Sequence, residues 1–175
     1  MQAQTAVPIK KANDSVRPQF HVITSAGLLA GASDRDFLWQ STIGFQYKTW
    51  FVGAGSGMDY YYLRSVPIFI EVRKHFQNPI PFYVYADAGV NLPAQQAKFK
   101  ESNWFKSRFK KGVYYDVGAG YPLALNKRNV LLLSIGYTKK TYTETQTEQL
   151  DVPYPTHNTL DYNLRRLVFK VGFQW

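Results

Sequence analysis

A chain of 175 residues is enough for one domain. Aromatics make up 17% of it, led by Tyr (13) and Phe (12), which suits pleated sheet and argues against a helical bundle, while the lack of Cys excludes disulfides and thiolate metal sites. A net charge of +9 admits nucleic acid or anionic lipid as partners, and the choice between them depends on where the charge falls.

Residues 1–19 are polar and irregular, with Lys10, Lys11, Asp14, Arg17 and Pro18, and are expected to form a flexible arm ahead of a domain at 20–175. The start, Met1-Gln2-Ala3-Gln4, has neither a charged nor an apolar segment of signal-peptide type and reads as a mature sequence with an added Met. From residue 20 onward, segments of roughly ten residues alternate with period two, the signature of strands with one apolar face.

The first segment, 20–30, alternates weakly and is rich in Ala, Gly, Ser and Leu. The second is clear: Phe37, Trp39, Ile43, Phe45 and Tyr47 share one face, and Gln40, Thr42, Gly44, Gln46 and Lys48 the other. After a turn at Lys48-Thr49, the third sets Val52, Ala54, Ser56, Met58, Tyr60 and Tyr62 against Gly53, Gly55, Gly57, Asp59 and Tyr61. The fourth sets Val66, Ile68, Ile70 and Val72 against Ser65, Pro67, Phe69, Glu71, Arg73 and His75. Gln77-Asn78-Pro79 supplies a chain reversal.

The fifth segment sets Ile80, Phe82, Val84, Ala86, Ala88 and Val90 against Pro81, Tyr83, Tyr85, Asp87, Gly89 and Asn91. A long connection is expected over 93–110. The sixth strand then sets Val113, Tyr115, Val117, Ala119, Tyr121 and Leu123 against Gly112, Tyr114, Asp116, Gly118 and Gly120. Across the turn 126–129, the seventh sets Leu131, Leu133, Ile135 and Tyr137 against Val130, Leu132, Ser134, Gly136 and Thr138. A second long connection, 142–161, leads to the terminal strand, where Leu167, Phe169, Val171, Phe173 and Trp175 alternate with Lys170, Gly172 and Gln174.

These segments make an all-β, eight-stranded antiparallel up-and-down barrel, and two patterns make it a transmembrane one. The turns at 48–50, 77–79 and 126–129 are tight, and both long connections fall on the opposite side, an asymmetry typical of outer-membrane barrels. On the apolar faces, Phe45, Tyr47, Phe82, Tyr121, Phe173 and Trp175 gather toward one end, and Phe37, Trp39, Tyr60, Tyr62, Tyr115 and Tyr137 toward the other, with aliphatic or small residues between. Two aromatic girdles around an aliphatic band match two membrane–water interfaces. The mean hydropathy of −0.31 is compatible, because half of each barrel strand is polar. No run of about 18 apolar residues suggests a transmembrane helix.

The polar faces carry Glu71, Arg73, Asp87, Asp116, Arg166 and Lys170. Eight strands leave a lumen that side chains fill, so these residues are expected to form an interior network of paired charges, with a narrow polar path as the alternative. Gly53-Ala54-Gly55-Ser56-Gly57 and Gly118-Ala119-Gly120 lack the following helix of a phosphate loop and are expected to make room for inward Tyr and Arg side chains. His21, His75 and His157 have no metal-ligand spacing; His75 is expected to point inward and His157 to lie in a loop, and no catalytic, cofactor or metal site is assigned.

The connection after residue 93 carries Lys98, Lys100, Lys106, Arg108, Lys110 and Lys111, with Phe99, Trp104, Phe105 and Phe109 interleaved; the connection after 142 carries Glu144, Glu148, Asp151 and Asp161. Mutual attraction of two protruding hairpins is one reading, and contact with lipopolysaccharide phosphates or an acidic surface partner is the other. Single-stranded nucleic acid would also suit basic residues among aromatics, but a loop on a membrane-type barrel is the wrong place for it.

Tyr62-Leu63-Arg64-Ser65-Val66-Pro67-Ile68, the aromatic run Pro81-Phe82-Tyr83-Val84-Tyr85-Ala86-Asp87-Ala88-Gly89 and the terminal Phe173-Gln174-Trp175 resemble small outer-membrane barrels of the OmpX and OmpA-transmembrane kind, most like the porin-family barrels of Bacteroidetes-type bacteria. The resemblance spans about residues 20–175. It implies a Gram-negative outer-membrane location, a monomer in contact with outer-membrane lipid, and an insertion signal at Phe169, Val171, Phe173 and Trp175 read by the barrel-insertion machinery. The expected function is non-enzymatic, through extracellular loops in surface binding or envelope integrity. Alternatives are a lipid-modifying barrel enzyme and a soluble barrel carrying a small apolar ligand.

Overall fold

The computed structural model describes residues 17–31, 35–60, 64–94, 105–126, 129–148 and 157–175, with backbone alone at 105–109, 146–148 and 157. Among these the strands are β1 (Gln19–Ala30), β2 (Arg35–Tyr47), β3 (Trp50–Asp59), β4 (Ser65–Phe76), β5 (Phe82–Pro93), β6 (Phe105–Lys110), β7 (Gly112–Ala124), β8 (Val130–Glu148) and β9 (His157–Gln174). All pair antiparallel, and β9 pairs with both β8 and β1, so the sheet closes on itself. Closure leaves the transmembrane-type strands β1–β5 and β7 no open edge to manage.

Two strands share one stave. β6 and β7 both run along β8, with Lys110 opposite Thr143 and Tyr114 opposite Lys140, so residues 111–113 face only 141–142. That is a one-residue β-bulge. At its centre a Cβ on Gly112 would overlap the Thr141 carbonyl, which restricts the position to glycine. With β6 and β7 counted together, the barrel has eight staves, as the alternation predicts.

The closure is staggered. From Phe45, the registered partners Val52, Val72, Ala86, Val117, Tyr137, Leu167 and Ala30 lead back to β2 at Arg35, ten residues from the start. A stagger of this size in eight staves tilts the strands about 40° and narrows the bore to side-chain width.

The pleat sorts the side chains as the alternation predicts. Trp39, Ile43, Phe45, Ile68, Ile70, Val84, Val117, Ile135, Leu167, Phe169 and Val171 are exposed on the outside, while Gln40, Thr42, Asp59, Glu71, Arg73, Asp87, Asp116, Thr138, Lys140 and Lys170 are buried inside. The barrel is thus inverted relative to a water-soluble one. At the rim with the tight turns, the outer aromatics include three that the alternation did not single out: Phe20 stands edge-on to Phe45 at 5.6 Å, Phe76 stacks on Phe82 at 4.5 Å, and the exposed Trp50 ring lies 4.6 Å from Lys74 Nζ. Tyr62 lies outside the described residues.

Both connections expected to be long loops contain paired strand instead. β6 occupies 105–110, and β8 and β9 run on beyond the barrel wall to Glu148 and from His157. His157 therefore opens a strand rather than lying in a loop. β6, the upper part of β8 and the upper part of β9 form a three-stranded extension beyond the barrel proper. The physical reason is ladder continuity: each added pair satisfies two backbone groups at little entropic cost once the hairpin has started.

The glycines make room for rings. A Cβ on Gly55 would press on the Phe69 ring, and on Gly118 and Gly136 on the Tyr85 ring; for arginine the matching position is Gly31, beside Arg166. Gly120 is pressed from two sides, by the Leu133 carbonyl and the Tyr83 ring. Gly120→Ala is expected to lower the unfolding free energy by about 1–3 kcal/mol in a urea titration, because the backbone carbonyl cannot yield.

Candidate functional site

The densest chemistry lies in the lumen. Three carboxylates stand in one row across neighbouring strands, since Glu71 is registered with Asp87 and Asp87 with Asp116. Their inward direction follows from the period-two pleat of β4, β5 and β7. Like charges directly opposite each other repel, so the row requires cations. Arg73, two residues beyond Glu71 on the same face, forms an ion pair with it and lies 4.5 Å over the Tyr83 ring. Lys170 comes from β9, one strand beyond β8: its Nζ is 2.9 Å from Asp116 Oδ2, 3.8 Å from Asp87 Oδ2, and 4.1 Å over the Tyr85 ring.

Hydroxyls and an amide complete the network. Tyr85 donates to Asp116 Oδ1 at 3.0 Å, and Gln40 Nε2 donates to the Tyr114 hydroxyl at 2.7 Å. Lys170 also reaches Gln40 Oε1 at 3.5 Å. A connected set of this kind offsets the desolvation of its charges through multiple short contacts.

Two further ion pairs lie toward the extension. Lys140 pairs with Asp59, which also accepts a hydrogen bond from Ser65 Oγ at 2.7 Å, and Arg166 pairs with Asp36. Arg166 is thus separate from the central group with which its inward position associated it. Asp59 and Lys140 were missed as partners, although each falls on the inward period of its strand.

Apolar clusters cap the network at each end. Ile23, Phe51, Tyr83, Tyr85 and Leu132 pack together below it, and Leu29, Leu38 and Val168 above, with Leu164 against them. Apolar clusters and ion pairs thus share the described part of the bore.

Of the basic aromatic segment, Lys98, Lys100 and Trp104 lie outside the described residues. Lys106, Arg108 and Lys110 belong to β6, a strand rather than a loop, and Lys110 is exposed. The terminal Phe169, Val171 and Trp175 are exposed on the outer face, and Phe173 is half-buried with its ring 5.5 Å from that of Trp175. The seam extends to the last residue, where Val22 and Trp175 exchange backbone hydrogen bonds of 3.0 and 3.1 Å. Among the described residues, no three His, Cys, Asp or Glu side chains gather as metal ligands.

A closed eight-stave barrel with an apolar outside and a charged, filled inside is the fold of small outer-membrane proteins, and solved structures share it. The outer membrane protein OprG from Pseudomonas aeruginosa matches with a TM-score of 0.55 at 15% identity, over 89% of this chain and 94% of that one. AlkL, an outer membrane protein solved in DMPC lipid bilayers, matches with 0.54 at 13% identity, over 100% of this chain and 96% of that one. Neisserial surface protein A matches with 0.51 at 14% identity, over 89% and 95%. At these identities the likeness is one of fold. No family model and no curated protein matches the chain.

Proposed function

We propose that the protein is an integral barrel of a Gram-negative outer membrane, monomeric and non-enzymatic, acting through its extracellular extension in surface binding or envelope integrity. The observation that carries this reading is the continuous outward band of Ile43, Ile68, Ile70, Val84, Val117, Ile135, Leu167 and Val171, all exposed, between two rims of exposed aromatics. An apolar belt of that extent in water would drive association, whereas hydrocarbon solvates it. The likeness to bacterial outer-membrane barrels supports the location.

In this orientation the tight-turn rim with Trp175 faces the periplasm, and the β6–β8–β9 extension stands outside the cell. The charged side chains buried in the lumen do not suit a carrier of an apolar ligand, which needs an apolar cavity. The resemblance of residues 20–175 to small outer-membrane barrels of the OmpX and OmpA-transmembrane kind supports the membrane location. Outer-membrane lipid and lipopolysaccharide are the partners in place, and the insertion machinery reads Phe169, Val171, Phe173 and Trp175 during biogenesis.

Fractionation tests the reading. The protein is expected with the outer-membrane fraction, soluble only in detergent, and with a gel mobility that changes on boiling. Recovery as a monodisperse species in plain buffer would sink it.

A further inference from the structure

Where the apolar band ends on β8 and β9, the next outward position on each strand is basic. On β8 the outward series Leu133, Ile135, Tyr137 gives way to Lys139; on β9 Val171, Phe169, Leu167 gives way to Arg165. Lys139 and Arg165 are registered directly opposite each other, and Tyr115 is registered with Lys139 from the other side. Like charges so placed hold their Cβ atoms about 4.5–5.5 Å apart and are destabilising unless something neutralises them.

Nothing described in the chain does so. The carboxylates with ion pairs serve Arg73, Lys140, Arg166 and Lys170, and neither Lys139 nor Arg165 has an ion-pair partner among the described residues. The next acid on this face of β9 is Asp161, four residues away and thus about 13 Å along the strand, where it accepts a hydrogen bond from Thr143 Oγ1 at 2.7 Å. The two cations therefore lie one position beyond the apolar band, beside a rim tyrosine, with no internal counter-ion among the described residues.

We propose that Lys139 and Arg165 form a seat for a lipid phosphate of the outer leaflet, the two cations clamping one phosphate while Tyr115 lies alongside at headgroup level. The ligand class is a phosphorylated lipid with an accessible phosphate monoester. An ammonium and a guanidinium on adjacent strands supply several converging donors to the oxygens of one phosphate. The proposal rests on the membrane reading above and adds the headgroup chemistry to it.

The test uses the full chain in detergent, delipidated and titrated with short-chain phosphatidic acid or matched phosphatidylcholine, with bound lipid counted by native mass spectrometry. The wild type is expected to prefer phosphatidic acid. Lys139→Ala and Arg165→Ala each weaken that binding about fivefold and together about thirtyfold, taking ~1 kcal/mol per basic residue. Lys139→Arg retains it. Arg165→Glu, which sets opposite charges face to face, abolishes the preference yet keeps the heat-modifiable mobility of a folded barrel. Equal binding by the double alanine variant would overturn the proposal. So would displacement of the lipid by inorganic phosphate at equal concentration, which would make the site one for free phosphate. Insertion into phosphatidylcholine vesicles does not need these charges, so its failure would count against the membrane reading and not against the seat alone.

Discussion

Replacing Lys170 with Met is expected to lower the unfolding free energy by about 3–5 kcal/mol, the range for removing one partner of a buried ion pair. Lys170 is the cation shared by Asp87 and Asp116, and Asp116 is only 1% exposed. Without it, two carboxylates directly opposite on β5 and β7 stay sealed beneath Tyr85 and Tyr114. Neutralising both, as Asp87→Asn and Asp116→Asn added to Lys170→Met, is expected to restore most of the loss, because the penalty lies in the charges left behind. Urea titration in lipid vesicles, followed by tryptophan fluorescence and gel mobility, measures both effects. A loss under about 1 kcal/mol for Lys170→Met alone would mean that the lumen is wet enough to solvate the carboxylates.

Ile70→Arg carries the second large effect, with the opposite logic. Ile70 is 61% exposed, outward near the middle of β4 and flanked by Ala54 and Ala88. On a water-facing surface the change would fall within about 0.5 kcal/mol. In hydrocarbon near the bilayer midplane it costs about 2–4 kcal/mol. Arginine at Thr159, exposed on the part of β9 beyond the barrel wall and registered opposite Thr145, supplies the control and is expected to be silent. If Ile70→Arg and Thr159→Arg are equally silent in vesicles, the outer face is not lipid-facing.

Much of the fold was legible because the deciding signal has a period of two and eight chances to repeat. Trp39, Ile43 and Phe45 on β2 and Tyr83, Tyr85 and Asp87 on β5 separate by face from the alternation alone. Even β1, with weak alternation, is fixed by its neighbours: Ala26 meets Trp39 on one side and Val171 on the other. The bulge at 111–113 was not legible, because one extra residue shifts the alternation between Phe109 and Tyr115 and makes two strand pieces look like loop and strand. Charge hid the rest. Lys106, Arg108 and Lys110 read as a basic loop when the alternating Phe105 and Phe109 were already strand-like. Within the lumen, sequence supplied the inward carboxylates but not the pairings. Lys170 meets Asp116 past the intervening β8, 54 residues earlier in the chain, and the barrel's stagger decides that partner.

The two ladders of β9 differ in a way that sets the order of assembly. Its pairing with β8 runs through eighteen registered positions across one hairpin, whereas its pairing with β1 runs through eight, between residues almost a whole chain apart. Local hairpins close in microseconds, while contacts of high sequence separation must first overcome a large loop entropy. The terminal hairpin therefore zips early and the seam welds last. Until it does, the facing edges of β1 and β9 carry unpaired amide and carbonyl groups that hydrocarbon penalises heavily. On the membrane reading, entry into the bilayer and completion of the ring are accordingly expected as one coupled event, with the shorter ladder of β9 closing last.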